Sequence, residues 1–469
     1  MPKTAALVVV GDVGHSPRMN YHALSLAEHG LNVEIIGYMD SKPHQKIREH
    51  PRIRVIPLKP PPKWLANVKP TVALGLKVLW TAFFLSWALM FQTTWNLSMV
   101  MMQNPPGIPA LMISWLISKL KRASFVIDWH NYTWSILRSN YKITLESLTL
   151  PRKDEAHTAK GTSSSSVIQR YIQLAYNWEG RMGRAADVNI CVSNEMKKDL
   201  AGAWGVNAVT LYDKAPAWNF KELSVEEKHV FFQKLITSDE FNVFRAEGDV
   251  QEDLEDAKEV TRFSYRDADG VAHLRESRPL ILLSSTSWTD DEDFGILLNA
   301  LKAVDSNISA SSAPLPHFCV IITGKGPQKA MYLDKIAEIN FRHIDFITPW
   351  LEAEDYPKML AVADIGVSLH TSTSGIDLPM KVVDIFGCKL PVLAKSFRAI
   401  GELVIDGGKS PNGRLFDNND ELKAHILDLA NGFPLKSEKL DDLRANLRKD
   451  YSTYWSDHWD EVLTPVLNV

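Results

Sequence analysis

The chain has 469 residues, 23 % of them charged, and a formal net charge of −4. The length allows two or three domains, each with its own core, and the charge balance excludes a basic nucleic-acid footprint. The three cysteines, Cys191, Cys319 and Cys388, lie far apart in apolar sequence, which excludes a disulfide framework and a cysteine metal site and reads as buried free thiols in a reducing compartment.

Ala5–Val10 is a continuous apolar run, as expected of a strand covered on both faces. Met19–His29 has helical spacing, and Asn32–Gly37 returns as a strand. Arg52–Leu58, Leu97–Gln103, Phe125–Trp129, Asp187–Val192 and Ala208–Tyr212 read as further short strands, an alternation that predicts a parallel doubly wound sheet over residues 1–213. Within this region Thr71–Phe91 is the most apolar stretch. As a helix it would span roughly 31 Å, but its charge-free part, Val78–Phe91, would span only roughly 21 Å, short of a bilayer core of about 30 Å. Trp80, Phe84, Trp87 and Phe91 fall on one helical face and follow Lys59, Lys63 and Lys69, which predicts a helix lying in a membrane interface. Ile108–Leu120 offers a second apolar contact. Ser139–Ser166, with Pro151, Gly161 and four consecutive serines, reads as a surface insertion.

From Lys214 the pattern changes. Glu247, Asp249, Glu252, Asp253, Glu255, Asp256 and Glu259 make an acidic, weakly apolar stretch, so residues 214–278 read as a linker or excursion. A second alternating series occupies residues 279–435, with strands at Leu280–Ser284, Phe318–Thr323, His343–Ile347, Ile365–Leu369 and Pro391–Ala394. Residues 436–469 read as helices that pack back on the first domain.

Chemistry-bearing motifs follow the predicted strands, where ligands bind in doubly wound sheets. Gly11-Asp12-Val13-Gly14-His15 and Arg18 follow the first strand. The glycines allow a tight turn that approaches a ligand. Asp128-Trp129-His130-Asn131 ends another strand. Ser284–Thr289, with Asp290, Asp291, Glu292 and Asp293, follows a third, and Thr323-Gly324-Lys325-Gly326-Pro327 a fourth. Thr348-Pro349-Trp350-Leu351 comes next. Ser374-Gly375 then leads to Pro379 and a helix bearing Lys381 and Asp384. Free amides, a helix N-terminus and Lys381 suit a diphosphate, and Asp384 can accept hydrogen bonds from a ribose diol. Together these make a socket for a nucleoside diphosphate.

In order and type these blocks resemble the chitobiosyldiphosphodolichol β-mannosyltransferase family, which adds the first mannose to the dolichol-linked N-glycan precursor. The resemblance covers nearly the whole chain and is most specific around Trp129, Trp288, Trp350 and Asp384. It implies an α/β fold of the GT-B type, with two doubly wound Rossmann-like domains facing a central cleft. The first domain takes the acceptor and faces the membrane; the second binds the nucleotide sugar. It also implies inverting transfer of mannose from GDP-mannose to chitobiosyl-diphosphodolichol, forming a β-1,4 bond, at the cytosolic face of the endoplasmic reticulum membrane. Inversion needs one general base on the acceptor hydroxyl. Asp12, His15 and His130 are the candidates, and the family often carries arginine at the place of His15. Lys325, Trp350, Ser374, Gly375, Lys381 and Asp384 are the expected donor ligands, with Gly11, Gly14 and Arg18 at the phosphate or acceptor loop. In related folds this loop faces the acceptor and the donor diphosphate, where Arg18 could clamp a phosphate. Retaining relatives carry paired glutamates eight positions apart. Here Asp377 and Asp384 are seven apart, so that pair is not reproduced.

No metal or other cofactor is expected, since lysine and helix amides can neutralise the diphosphate. Expected partners are the lipid-linked acceptor, the membrane and other early dolichol-pathway mannosyltransferases. The family's N-terminal membrane anchor would precede the first strand, which here follows Met1-Pro2-Lys3. A soluble retaining GT-B transferase using another nucleotide sugar, and a non-catalytic partner in a glycosyltransferase assembly, remain the alternatives.

Overall fold

The computed structural model describes residues 3–143, 148, 166–246, 257–289, 292–310 and 315–469. Most of the expected Ser139–Ser166 insertion, most of the acidic stretch, and Asp290 and Asp291 lie outside the described residues. The chain forms two compact units. One comprises Met1–Asp213, Thr373–Asp377 and Trp455–Val469; the other comprises Lys214–Ser372 and Leu378–Tyr454.

The first unit is built on a parallel sheet of β1 (Thr4–Asp12), β2 (Asn32–Tyr38), β3 (Ile53–Pro57), β4 (Leu97–Asn104), β5 (Ser124–Trp129), β6 (Val188–Cys191) and β7 (Val209–Thr210). Their order is β3-β2-β1-β4-β5-β6-β7. Ala5 to Val9 are fully buried, as a strand covered by helices on both faces requires. The order reverses between β1 and β4, and the loops after these strands form the crevice where such sheets bind ligands.

The apolar stretch forms the helix Pro70–Trp87, started by Pro70 and continued by a wider turn over Ala88–Gln92. Leu85, Ala88 and Leu89 pack into the first core, while Val72, Leu76, Leu79, Phe83, Trp87 and Phe91 are exposed. Val72–Gln92 is long and apolar enough to cross a membrane. One of its faces nevertheless belongs to the domain.

In the second unit a hairpin of β8 (Ser264–Arg266) and β9 (Ala272–Leu274) precedes a parallel sheet. That sheet contains β10 (Leu280–Ser285), β11 (Phe318–Thr323), β12 (Ile344–Ile347), β13 (Ile365–Ser368), β14 (Val392–Lys395) and β15 (Gly413–Phe416), ordered β12-β11-β10-β13-β14-β15. Its switch point lies between β10 and β13.

Two expectations about the ends of this unit change. Where described, residues 214–278 fold within the second unit rather than linking domains. The helix Val225–Leu235 opens with a Ser224/Glu227 capping box, and Phe232, Phe244 and Phe263 pack ring on ring. The tail also divides. Leu440 and Leu443 of the helix Glu438–Asp450 join the second core. Only Trp455–Leu467 returns to the first unit, where Trp459 Nε1 donates to His22 Nδ1 at 2.9 Å and Trp455 Nε1 to Ser25 Oγ at 3.1 Å.

Candidate active site

In the second unit the site is built on the loops after β10, β11 and β12 and on the helix after β13. Gly324 has φ +129, and a Cβ there would collide with the carbonyl oxygen of Thr286. A Cβ on Gly326 would collide with that of Ser287, so these glycines let the Lys325 loop lie against the loop after β10. Lys325 Nζ then stands 3.7 Å from the centroid of the Trp350 ring. Trp350 is 52 % exposed, with Lys325 over one face of its ring. By contrast, Trp129 and Trp288, which helped to carry the resemblance, are core residues at 0 % exposure.

The loop after β10 ends in a group that sequence reasoning did not single out. Glu292 is 2 % exposed and accepts from Thr286 Oγ1 at 2.6 Å and from the Ser287 N–H at 2.6 Å. Its other oxygen pairs with Lys381 Nζ at 2.5 Å. Burial pushes its carboxyl up, but the charge of Lys381 and these hydrogen bonds bring it below the ordinary range. Lys381 is thus fixed in position.

Lys381 and Asp384 lie on the helix Met380–Gly387, which starts after Pro379. Partly buried Tyr356 shares a hydrogen bond of 3.0 Å with Ser285 Oγ, and desolvation together with the charge of Asp384 holds its phenol protonated. Replacing Lys381 with alanine should remove a phosphate contact, and replacing Asp384 with alanine a ribose contact. Each should weaken GDP binding at least tenfold, about 1.4 kcal/mol. Calorimetric titration with GDP checks this, and unchanged affinity in both variants would remove the assignment.

Ser374 and Gly375 are placed differently from expectation. They belong to the first unit, because Ile376 is buried in its core and the Ile376 carbonyl accepts from Ser193 Oγ. Ser374 Oγ donates to Asp377 Oδ1 at 3.0 Å. Asn131 Nδ2 reaches Thr373 Oγ1 and the same Asp377 oxygen, each at 3.2 Å. The six-residue separation from Lys381 suggested one loop with one role, but packing assigns the two ends of that loop to different units.

The crevice of the first unit holds two histidine–carboxylate pairs. Asp12 caps the short turn Val13–His15 by accepting from the Gly14 N–H at 3.3 Å. It also accepts from the Ser41 N–H at 3.1 Å and from Ser41 Oγ, and His15 Nδ1 lies 2.5 Å away. Burial pushes the Asp12 carboxyl up, but these hydrogen bonds outweigh it and lower it to about 2. The His15 side chain is 80 % exposed. A Cβ on Gly14 would run into Ser41, so Gly14 is needed for this packing; Gly11 has no such neighbour.

The second pair is His130 Nε2 with Asp128 Oδ2, at 2.7 Å. Asp128 and His130 are alternate residues at a strand end, a spacing that turns both to one side. Asp128 is fully buried and faces Arg18, His22 and His130. Burial raises its carboxyl, yet the charge of Arg18 and the two histidines hold it well below the usual range.

Arg18 is therefore no phosphate clamp. It is 1 % exposed, with Nε and Nη2 on Asp128 at 2.9 and 3.0 Å. Its Nη1 is on Asp213 at 2.7 Å and on the Leu211 carbonyl at 3.0 Å. Spacing placed Arg18 near the loop, but the first helical turn carries it inward to two buried carboxylates.

Below His130, fully buried Glu179 accepts from Asn104 Nδ2 at 2.7 Å and from the Thr133 and Trp134 N–H groups at 2.8 and 3.3 Å. Burial raises it to about 7 despite these donors. It fixes the start of the helix after Asn131. Among the described residues, no group of three or more His, Cys, Asp or Glu side chains is placed to hold a metal ion.

Residues 278–431 match the family model described as glycosyl transferases group 1. The chain is 40 % identical over 461 residues to the chitobiosyldiphosphodolichol beta-mannosyltransferase of Pongo abelii, covering 98 % of this chain and 91 % of the relative. It is also 40 % identical over 462 residues to the human protein of that name, with the same coverages. Among solved structures it is similar to WaaG, a glycosyltransferase involved in lipopolysaccharide biosynthesis, with a TM-score of 0.59, 11 % identity, and coverage of 98 % of this chain and 99 % of WaaG.

Proposed function

The chain belongs to the chitobiosyldiphosphodolichol β-mannosyltransferase family, and from that premise we propose that it transfers mannose from GDP-mannose to chitobiosyl-diphosphodolichol with inversion, forming a β-1,4 bond. The observation that carries the reading is the match at 40 % identity over 98 % of the chain, supported by two units of the GT-B kind with their chemistry at the strand ends. In the second unit Lys381, held by Glu292, meets the diphosphate, Asp384 the ribose, and the Trp350 face with Lys325 beside it the nucleobase end of the donor. Lysine and helix amides neutralise the leaving diphosphate without a metal.

Proton abstraction is assigned to His130. With Asp128 ionised on Nε2–H, the lone pair of Nδ1 is free to take the proton of the acceptor hydroxyl. Asp12, lowered to about 2, is too weak a base. The resemblance, which often puts arginine at position 15, argues against His15 as the base, and a cation at that place would suit the acceptor diphosphate. The lipid acceptor places the enzyme at the cytosolic face of the endoplasmic reticulum membrane. The exposed apolar face of Pro70–Trp87 meets the bilayer there. Trp87, Phe91, Leu79 and Phe83, all exposed, would make that contact. Early dolichol-pathway mannosyltransferases remain candidate partners.

One assay tests this reading: purified protein with GDP-mannose and a lipid-linked chitobiose, with the product anomer determined. The expected product is a β-mannoside, formed at the same rate with EDTA. An α-mannoside would overturn inversion. Loss of activity with EDTA and its return with Mg²⁺ or Mn²⁺ would overturn the metal-free route and make Asp290, Asp291 and Asp293 metal candidates.

A further inference from the structure

Trp80 and Phe84 were expected on the membrane-contact stripe, but both are only half exposed. They flank the outermost face and, with Trp64, Leu65, Leu76 and Leu79, line an apolar groove of about 370 Å³ in the first unit. The Trp80 and Phe84 rings pack at 4.7 Å, and Trp80 Nε1 donates to the Lys59 carbonyl at 3.0 Å. The Lys59 ammonium lies 5.7 Å from both ring centroids, so a cation stands against the wall of the groove.

The position of the groove gives it meaning. All strands of this sheet are parallel, so the chain leaving β3 emerges at the same edge as the Asp12–His15 turn leaving β1. Those strands are two places apart, roughly 10 Å. Thr81, next to Trp80, hydrogen-bonds Tyr38 at the end of β2. Ser41, three residues on, binds Asp12, which holds His15. The 78 residues from His50 to Ile127, which contain the groove, carry nine Lys and Arg and no Asp or Glu, although the whole chain has a net charge of −4. An apolar slot with a lysine at its wall, linked through Ser41 to the His15 loop, complements an anionic head attached to a hydrocarbon tail.

We propose that this groove holds the first isoprene units of the acceptor, so that the enzyme grips its lipid on the tail side of the diphosphate as well as the sugar side. This rests on the acceptor assigned above. The groove then selects acceptors by their tail, independently of attachment to a bilayer.

The test uses the full chain in detergent, without a bilayer. Chitobiosyl diphosphates carrying no, one, two, four or more isoprene units are compared. For the native protein KM should fall at least tenfold over the first units and then level off. Leu76→Trp, which fills the groove while keeping the exposed face apolar, should flatten that series. It should leave KM for GDP-mannose unchanged and should not weaken sedimentation with anionic vesicles. Trp80→Ala gives a second variant should Leu76→Trp not fold, and it should flatten the series by removing a wall.

KM independent of tail length in the native protein would overturn the proposal. So would a flattened series accompanied by an equal loss of vesicle binding, which would make the groove part of a bilayer contact only. If the native protein transfers mannose to none of the acceptors, the acceptor assignment itself fails.

Discussion

His130→Gln should lower kcat by about 10²- to 10⁴-fold, the contribution of a positioned general base. GDP affinity and the thermal midpoint should stay near those of the native protein, because His130 is partly exposed and does not hold the core. The expected loss follows from one pairing: Asp128 fixes Nε2 at 2.7 Å and keeps Nδ1 as the acceptor of the proton. A parallel His15→Arg variant should keep most of its activity if that position supplies charge. Steady-state kinetics on the two variants decides between the histidines. Abolished turnover in His15→Arg with near-native turnover in His130→Gln would transfer the role to His15.

Arg18→Met should destabilise the protein by about 3–5 kcal/mol, the cost of leaving buried carboxylates without their partner. Asp128 and Asp213 would both lose the guanidinium, and its stacking 5.6 Å from the Trp455 ring would go with it. Urea denaturation measures this. A shift below about 1 kcal/mol, coupled with a raised KM for the acceptor, would restore Arg18 to phosphate binding. The same cluster sets a pH dependence. Asp128 is held well below its unfolded value of about 3.9. Its contribution is therefore complete above about pH 4 and is lost as pH falls through the depressed folded value. Asp364, lowered by Arg278 and Arg444 in the second unit despite its burial, acts with the same sign. Acid should accordingly act only below about pH 4 through these groups.

The alternation of apolar runs made both sheets legible in the sequence, and β10, β11 and β13 follow their apolar cores closely. β15 was missed because Gly413-Arg414-Leu415-Phe416 has too little apolar length to stand out. The acidic stretch after Lys214 hid the aromatic cluster of Phe232, Phe244 and Phe263, whose members lie as much as 31 positions apart. The candidate donor residues Lys325, Trp350, Lys381 and Asp384 stand in local motifs, since loop glycines and a helix start are written in neighbouring residues. The pairing of Glu292 could not be read that way, since its partner Lys381 is 89 positions away. The inward turn of Arg18 depends on Asp128 and Asp213, 110 and 195 positions off. Long-range ion pairs leave no periodic trace.

The first unit also sets an order of events during synthesis. Its sheet is complete by Thr210, yet His22 and Ser25 receive Trp459 and Trp455 only when the last helix arrives. At ribosomal rates the intervening 244 residues take roughly 12–50 s to make. Throughout that interval the helix Pro17–Glu28 would present an uncovered apolar flank beside a buried charge cluster. Nascent chains shorter than Trp455 should accordingly depend on chaperones in proportion to their dwell time, and slow codons in the last third of the message should lower the yield of folded protein.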